Sequence, residues 1–177
     1  MRCDHLVHSV ELVVDDATDT RIRAQWETLR SAGLPSQARH TGVSNRPHIT
    51  LALAATIGAD VAARLAVVAA ELPIPITLGG LLLFGSHRIV LARLAVPATD
   101  LLRFQGDVLA ALDDDVDPHG TFAAGRWTAH VTLARRLTAD QVAEAVTALG
   151  DLPPISGSVV RARTWDMTAK QEHWLGP

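Results

Sequence analysis

The chain has 177 residues, 48% of them hydrophobic and 20% charged, which excludes a disordered protein and supplies apolar surface for one sizeable core. A formal charge of −3 and a pI near 6.2 exclude a broad electrostatic grip on long duplex nucleic acid, leaving room for a nucleotide or the end of an RNA. The one cysteine, Cys3, excludes an intramolecular disulfide and a cysteine-rich zinc site, and it fits a reducing compartment.

The opening run MRCDHLVHSVELVVDD is too short and too interrupted by charge for a signal peptide or a membrane span, so a cytoplasmic protein is expected. Apolar alternation from His8 to Val14 predicts a strand. Ile22, Trp26 and Leu29 then fall at helical spacing and predict a helix from Asp16 to about Ala32, ended by Gly33 and Pro35; Trp26 belongs to its core face. A strand HITLALA from His48, a helix from about Ala59 to Leu72 and a strand PITLGGLLLF follow. The second half repeats the order. HRIVLARLAV is a strand and PATDLLRFQGDVLAAL a helix with Pro97 near its start. HVTLA is a strand, the helix capped by Thr138 comes next, and ISGSVVRART is the last strand. The result is β-α-β-α-β twice in a single domain spanning 1–177, with an internal repeat over about 5–86 and 87–170. In such a repeat a pseudo-twofold axis brings equivalent strands together at the centre of the molecule.

Two near-identical pentapeptides, HITLA at His48 and HVTLA at His130, stand at matching places in the two halves. In a strand His48 and Thr50 share one face while Ile49 and Leu51 take the other, and His130 and Thr132 do the same. Each motif thus offers an imidazole and a hydroxyl on one side and core residues on the other. Paired across a cleft, they suit a phosphodiester. One imidazole acts as base and the other as acid near neutral pH, and the threonines donate to phosphate oxygens. The scheme uses no metal or other cofactor. A two-histidine metal protein lacks a third ligand, and the acidic run DDDVDPHG, with His119, reads as a solvated loop without the ligand spacing of a calcium site.

The pair His48-Ile49-Thr50-Leu51 and His130-Val131-Thr132-Leu133 resembles the double H-Φ-T-Φ signature (Φ apolar) of the 2H phosphoesterases, the family of 2′-5′ RNA ligases and RNA 2′,3′-cyclic phosphodiesterases. The resemblance covers nearly the whole chain. It implies an α+β, bilobal fold with two antiparallel sheets lining a central cleft and helices packed outside. It also implies metal-independent opening of a 2′,3′-cyclic phosphate on an RNA end or nucleotide, with reversible 2′-5′ ligation as a related activity; a monomer that meets no membrane is expected separately. His130 is then the expected base and His48 the expected acid in hydrolysis, exchanged in the reverse direction, although the sequence alone leaves the two interchangeable. The resemblance makes Arg135, five positions after His130, a candidate phosphate ligand. An unbroken strand would face Arg135 away from His130 and Thr132, so the role requires a bulge or strand end near Ala134. Arg46, two residues before His48, is a second candidate, with Pro47 disturbing its geometry. The chain departs from many RNA-processing relatives by carrying Ala52-Leu53-Ala54-Ala55 after the first motif and few aromatic residues, so base stacking falls to residues such as Trp127 or Phe84. A protein that holds RNA ends or a phosphorylated metabolite in the same cleft without turnover is the alternative reading.

Overall fold

The computed structural model describes residues 7–113 and 120–176. Cys3, His119 and most of the acidic run lie outside the described residues. The elements, in chain order, are β1 (His8–Val14), α1 (Asp16–Ser31), β2 (His48–Ala54), α2 (Ala59–Ala69), β3 (Ile74–Phe84), β4 (Ile89–Ala95), α3 (Thr99–Leu112), β5 (His130–Leu137), α4 (Ala139–Leu149), β6 (Ile155–Asp166) and β7 (Gln171–Leu175), with a 3₁₀ turn at Gln37–Arg39. The fold is α+β with every strand pair antiparallel.

The helix ends follow their local chemistry. Asp15 caps α1 by accepting the Thr18 amide at 2.8 Å. At the other end Gly33 takes a left-handed φ of 76°, with the amides of Gly33 and Leu34 folding back to the carbonyls of Arg30 and Leu29. Thr138 and Gln141 form a reciprocal capping box on α4. The helix α2 stops at Ala69, before the expected Leu72, because the residue preceding Pro73 is sterically disfavoured from helix. Two elements escaped the sequence reading, the 3₁₀ turn and the edge strand β7.

The two expected sheets are two halves of one connected sheet, in the order β1-β2-β5-β4-β3-β6-β7 with an added β1–β6 pairing. The long strand β6 joins the halves: its start, Ile155–Val159, pairs with β3, and its later part pairs with β1 and β7. On the opposite side β2 and β5 meet at a single pair, Ile49 with Val131. Exchanging β1 with β4, β2 with β5 and β3 with β6 carries β1–β2 onto β4–β5 and β1–β6 onto β4–β3, and leaves β2–β5 and β3–β6 in place. The helices obey the same exchange: α1 packs on α4 and on β5, while α3 packs on α2 and on β2. One face of each strand therefore meets the helices, where Leu12, Ile22, Ile49, Leu51, Phe104, Val131 and Leu133 form the buried core. The other face is left for the site.

Candidate active site

The antiparallel contact of Ile49 with Val131 fixes the site's layout. It sets His48 and Thr132 to one side of the contact and Thr50 and His130 to the other, so each motif's histidine neighbours the other motif's threonine. His48, Thr50 and His130 open into one cavity of about 850 Å³, with Ser9 and Glu11 from β1, Phe84 from β3, Arg135 from β5 and Arg163 from β6 also on its wall. Thr132 is buried, 7% exposed, just behind that wall.

The two imidazoles are held alike. His48 Nδ1 lies 2.8 Å from the Arg46 carbonyl and His130 Nδ1 lies 2.7 Å from the Thr128 carbonyl. A carbonyl can only accept, so Nδ1 carries the hydrogen in both rings and Nε2 is the nitrogen free for proton transfer. The threonines are held alike too: Trp127 Nε1 donates to the Thr50 carbonyl at 2.9 Å and Trp26 Nε1 donates to the Thr132 carbonyl at 3.0 Å. The backbone at each motif is thereby fixed from behind by an indole. Trp26 is buried, as its helical spacing predicts, and Trp127 packs against the core, whereas Phe84 faces the cavity with its ring 4.7 Å from that of His130.

A pair of bulges shapes both motifs. On β5, Thr132 and Ala134 pair with the consecutive residues Ala92 and Leu91, so Leu133 is an extra residue. The strand's facing is reset there, and Arg135 comes to the cavity beside His130, with its Nη2 3.4 Å from Thr132 Oγ1. On β2, Thr50 and Ala52 pair with Glu11 and Val10, making Leu51 extra, and Leu53 takes the corresponding place on the wall. Arg46 goes elsewhere. It does not line the cavity; its guanidinium lies 5.3 Å from the centre of the Trp174 ring, and one Nη2 donates to the Val43 carbonyl. Pro47 between Arg46 and His48 breaks the alternation that would have put the two side chains together.

The charges around the two histidines differ in sign. Glu11 Oε1 is 3.7 Å from His48 Nε2. Burial alone would push the Glu11 carboxyl up; the charges of His48 and Arg163 and hydrogen bonds from Ser9 and Arg163 outweigh it, and the group is held below its ordinary value. Ser9 Oγ donates to Oε1 at 2.7 Å and Arg163 Nε to Oε2 at 2.9 Å, with Arg163 also bound to the Ser44 carbonyl and to Glu172. Among the described residues no carboxylate stands beside His130 in this way. Burial pushes its pKa down, only partly countered by the Thr128 hydrogen bond, and the charges of Arg135 and His48 push it further down. Sequence reasoning missed Glu11 and Arg163. The available signal was a glutamate among the valines and leucine of HSVELVV, a strand with no exposed face to justify it. No group of three or more His, Cys, Asp or Glu side chains among the described residues is placed to hold a metal ion.

An antiparallel α+β fold in which two H-Φ-T-Φ strands meet at one cavity is the architecture of the 2H phosphoesterases. Residues 18–171 match the model of the 2′-5′ RNA ligase superfamily, and the chain belongs to that family. No curated protein matches it. Among solved structures it is similar to Kluyveromyces marxianus Usb1 with uridine monophosphate (14% identity, covering 97% of this chain and 98% of the other, TM-score 0.58). It is also similar to a phosphoesterase (17% identity, 97% and 94%, TM-score 0.54) and to E. coli LigT complexed with NADP+ (15% identity, 96% and 92%, TM-score 0.52). LigT has also been solved with 3′-AMP (15% identity, 96% and 92%, TM-score 0.53). At these identities the likeness is one of fold. No helix among the described residues is long and apolar enough to cross a membrane.

Proposed function

We propose that the protein is a metal-independent phosphodiesterase that opens 2′,3′-cyclic phosphates on RNA ends or nucleotides, with His130 as base and His48 as acid. The observation that carries this reading is the pair of Nε2 atoms in one cavity with charges of opposite sign beside them, Glu11 at His48 and Arg135 at His130. An imidazolium at His48 is charge-balanced by the carboxylate; a neutral imidazole is favoured at His130, which is buried and next to a guanidinium. In the forward step His130 Nε2 takes a proton from water as the water oxygen bonds to phosphorus. The bond from phosphorus to the 3′ oxygen breaks, and His48 gives its Nε2 proton to that oxygen, leaving a 2′-phosphate and a 3′-hydroxyl. Thr50 and Arg135 donate hydrogen bonds to the non-bridging oxygens as charge develops on them, and Thr132, buried behind the wall, accepts from Arg135 and steadies its guanidinium. In reverse the histidines exchange roles, and a ribose hydroxyl in place of water gives 2′-5′ ligation. The ligands named for the similar structures, uridine monophosphate, 3′-AMP and NADP+, all carry phosphate on ribose, which supports a nucleotide in this cavity.

The test is direct. His48→Ala and His130→Ala should each lower turnover of a 2′,3′-cyclic nucleotide by roughly 10²–10⁴, the usual worth of a positioned proton transfer, and a chelator should change nothing. Full activity in either variant would sink the two-histidine mechanism. Binding of a nucleoside 2′-phosphate without any turnover of cyclic phosphate would instead favour a protein that holds RNA ends.

A further inference from the structure

A second, smaller cavity of about 420 Å³ adjoins the first, sharing Gln37, His40 and Arg135 with it. Its wall adds Arg39 and Arg136, so three guanidinium groups and an imidazole surround a space with no carboxylate among the described residues of its lining. None of the ion pairs among the described residues involves Arg39, Arg135 or Arg136. In a chain of net charge −3, three arginines around one hollow, none in an ion pair among the described residues, are a local feature and not a reflection of composition.

The backbone is specialised for this arrangement. Beyond the bulge at Leu133, β5 departs from its partner a second time: Ala134 and Leu137 are paired with Leu91 and Ile89, leaving two residues of β5 against one of β4. Those two residues are Arg135 and Arg136. Arg136 has a φ of 64°, a left-handed conformation that is costly for a side chain of its size. A regular strand would send successive arginines to opposite faces; here both border the same hollow. Arg39 is preset as well, its Nη2 anchored to the carbonyls of Gly33 and Leu34. Arg135 borders both cavities, so an anion in each would lie along one guanidinium.

We propose that this second cavity is a phosphate subsite, in which Arg136 and Arg39, with His40, hold a second phosphate group of the same ligand whose first phosphate sits between the two histidines. The inference rests on the reading of the main cavity as a nucleotide phosphate site and adds to it a requirement: the preferred ligand carries two phosphates, close enough for Arg135 to border both. Arginine suits this task because its fork donates two parallel hydrogen bonds to one phosphate. A backbone diester of an RNA strand and a terminal phosphate on a single nucleotide present the same chemistry.

Calorimetric titration separates these sources and does not depend on turnover. Three ligands are compared: adenosine 2′-phosphate, adenosine 2′,5′-bisphosphate and the dinucleotide ApA bearing a terminal 2′-phosphate. At least one two-phosphate ligand should bind roughly 10-fold or more tightly than the single-phosphate ligand, the size of one or two charge-assisted hydrogen bonds. A gain confined to the dinucleotide identifies the strand diester, and a gain with the bisphosphate identifies a terminal phosphate. Arg136→Gly, whose residue suits a left-handed backbone, should abolish the gain while leaving the affinity for adenosine 2′-phosphate unchanged, and Arg136→Lys should keep part of it. Equal affinity for all three ligands in the wild type overturns the proposal, as does a gain that survives in Arg136→Gly or an equal loss across the three ligands. A protein that shows the Arg136-dependent gain but turns over no cyclic phosphate would retain the subsite and lose the enzymatic reading.

Discussion

His130 illustrates how one residue's surroundings set a measurable property. Burial first, then the charges of Arg135 and His48, lower its pKa against the opposing hydrogen bond to Thr128. A base must be unprotonated, so kcat/KM should fall on acidification with its midpoint below 6.5, the ordinary imidazole value. A midpoint above 6.5 would take the base role away from His130. Arg135→Gln should move the midpoint upward only modestly, because burial and not Arg135 is the larger cause. Glu11 makes the complementary point. Its carboxylate and the Arg163 guanidinium are both almost wholly buried, with side chains 6% and 3% exposed, so each needs the other. The histidines and threonines of the two motifs were legible in the sequence because they break an apolar pattern in a repeated way. Glu11 breaks a pattern only once, and its meaning depends on β2 and β6 lying on either side of β1.

Among the elements, α1 is tied to β6 at its N-terminus. Asp15 accepts the amides of both Thr18 and Ser158, and the Asp15 amide donates to the Ser158 carbonyl at 2.8 Å. Gly157 makes this approach possible: a Cβ there would stand 1.9 Å from Thr18 Oγ1 and 2.9 Å from Asp15 Oδ2. Gly157→Ala should therefore destabilise the protein by about 1–3 kcal/mol, the usual range for overpacking a tight contact, as read by chemical denaturation. Adding Thr18→Ala should recover part of the loss, and strictly additive effects would show that the two positions do not meet. The long elements were legible because each carries its own period and caps, as Asp15, Gly33 and Thr138 show. The strand β7, QEHWL, has five residues of mixed polarity and exists as a strand only through its pairing with β6. The bulge at Leu51 was likewise invisible, since an extra residue is defined only against a partner strand, whereas the one at Leu133 was foreseen only as the condition for Arg135 to reach the site.

For the molecule as a whole, acid should act in stages. His130 takes up its proton less readily folded than unfolded, so below about 6.5 protonation favours the unfolded chain and stability starts to fall. Glu11 is held below 4.5 and, through hydrogen bonds that outweigh its burial, Asp15 below 3.8; each contributes stability present above those values and lost as the pH falls through the folded-state ones. The melting temperature should decline gently from pH 7 toward 5 and more steeply below about 4.5. A constant value from pH 7 to 4 would contradict the burial of His130 and the charges and hydrogen bonds that hold Glu11 down. Exchanging β1–β3 with β4–β6 carries the strand pairings and helix contacts onto one another. The symmetry stops at the charges: Glu11 and Ala92 occupy equivalent places, as do Leu53 and Arg135. The sequence by itself determined the four helices and the first six strands and singled out the two H-Φ-T-Φ motifs, because periodicity, capping and alternation are properties of neighbours along the chain. The tertiary structure decided that the motifs meet at Ile49 and Val131, that Arg135 turns toward the cavity while Arg46 goes to Trp174, and that the two histidines differ electrostatically. Those outcomes depend on strand register and on charges from distant segments, which are set only when the chain is packed.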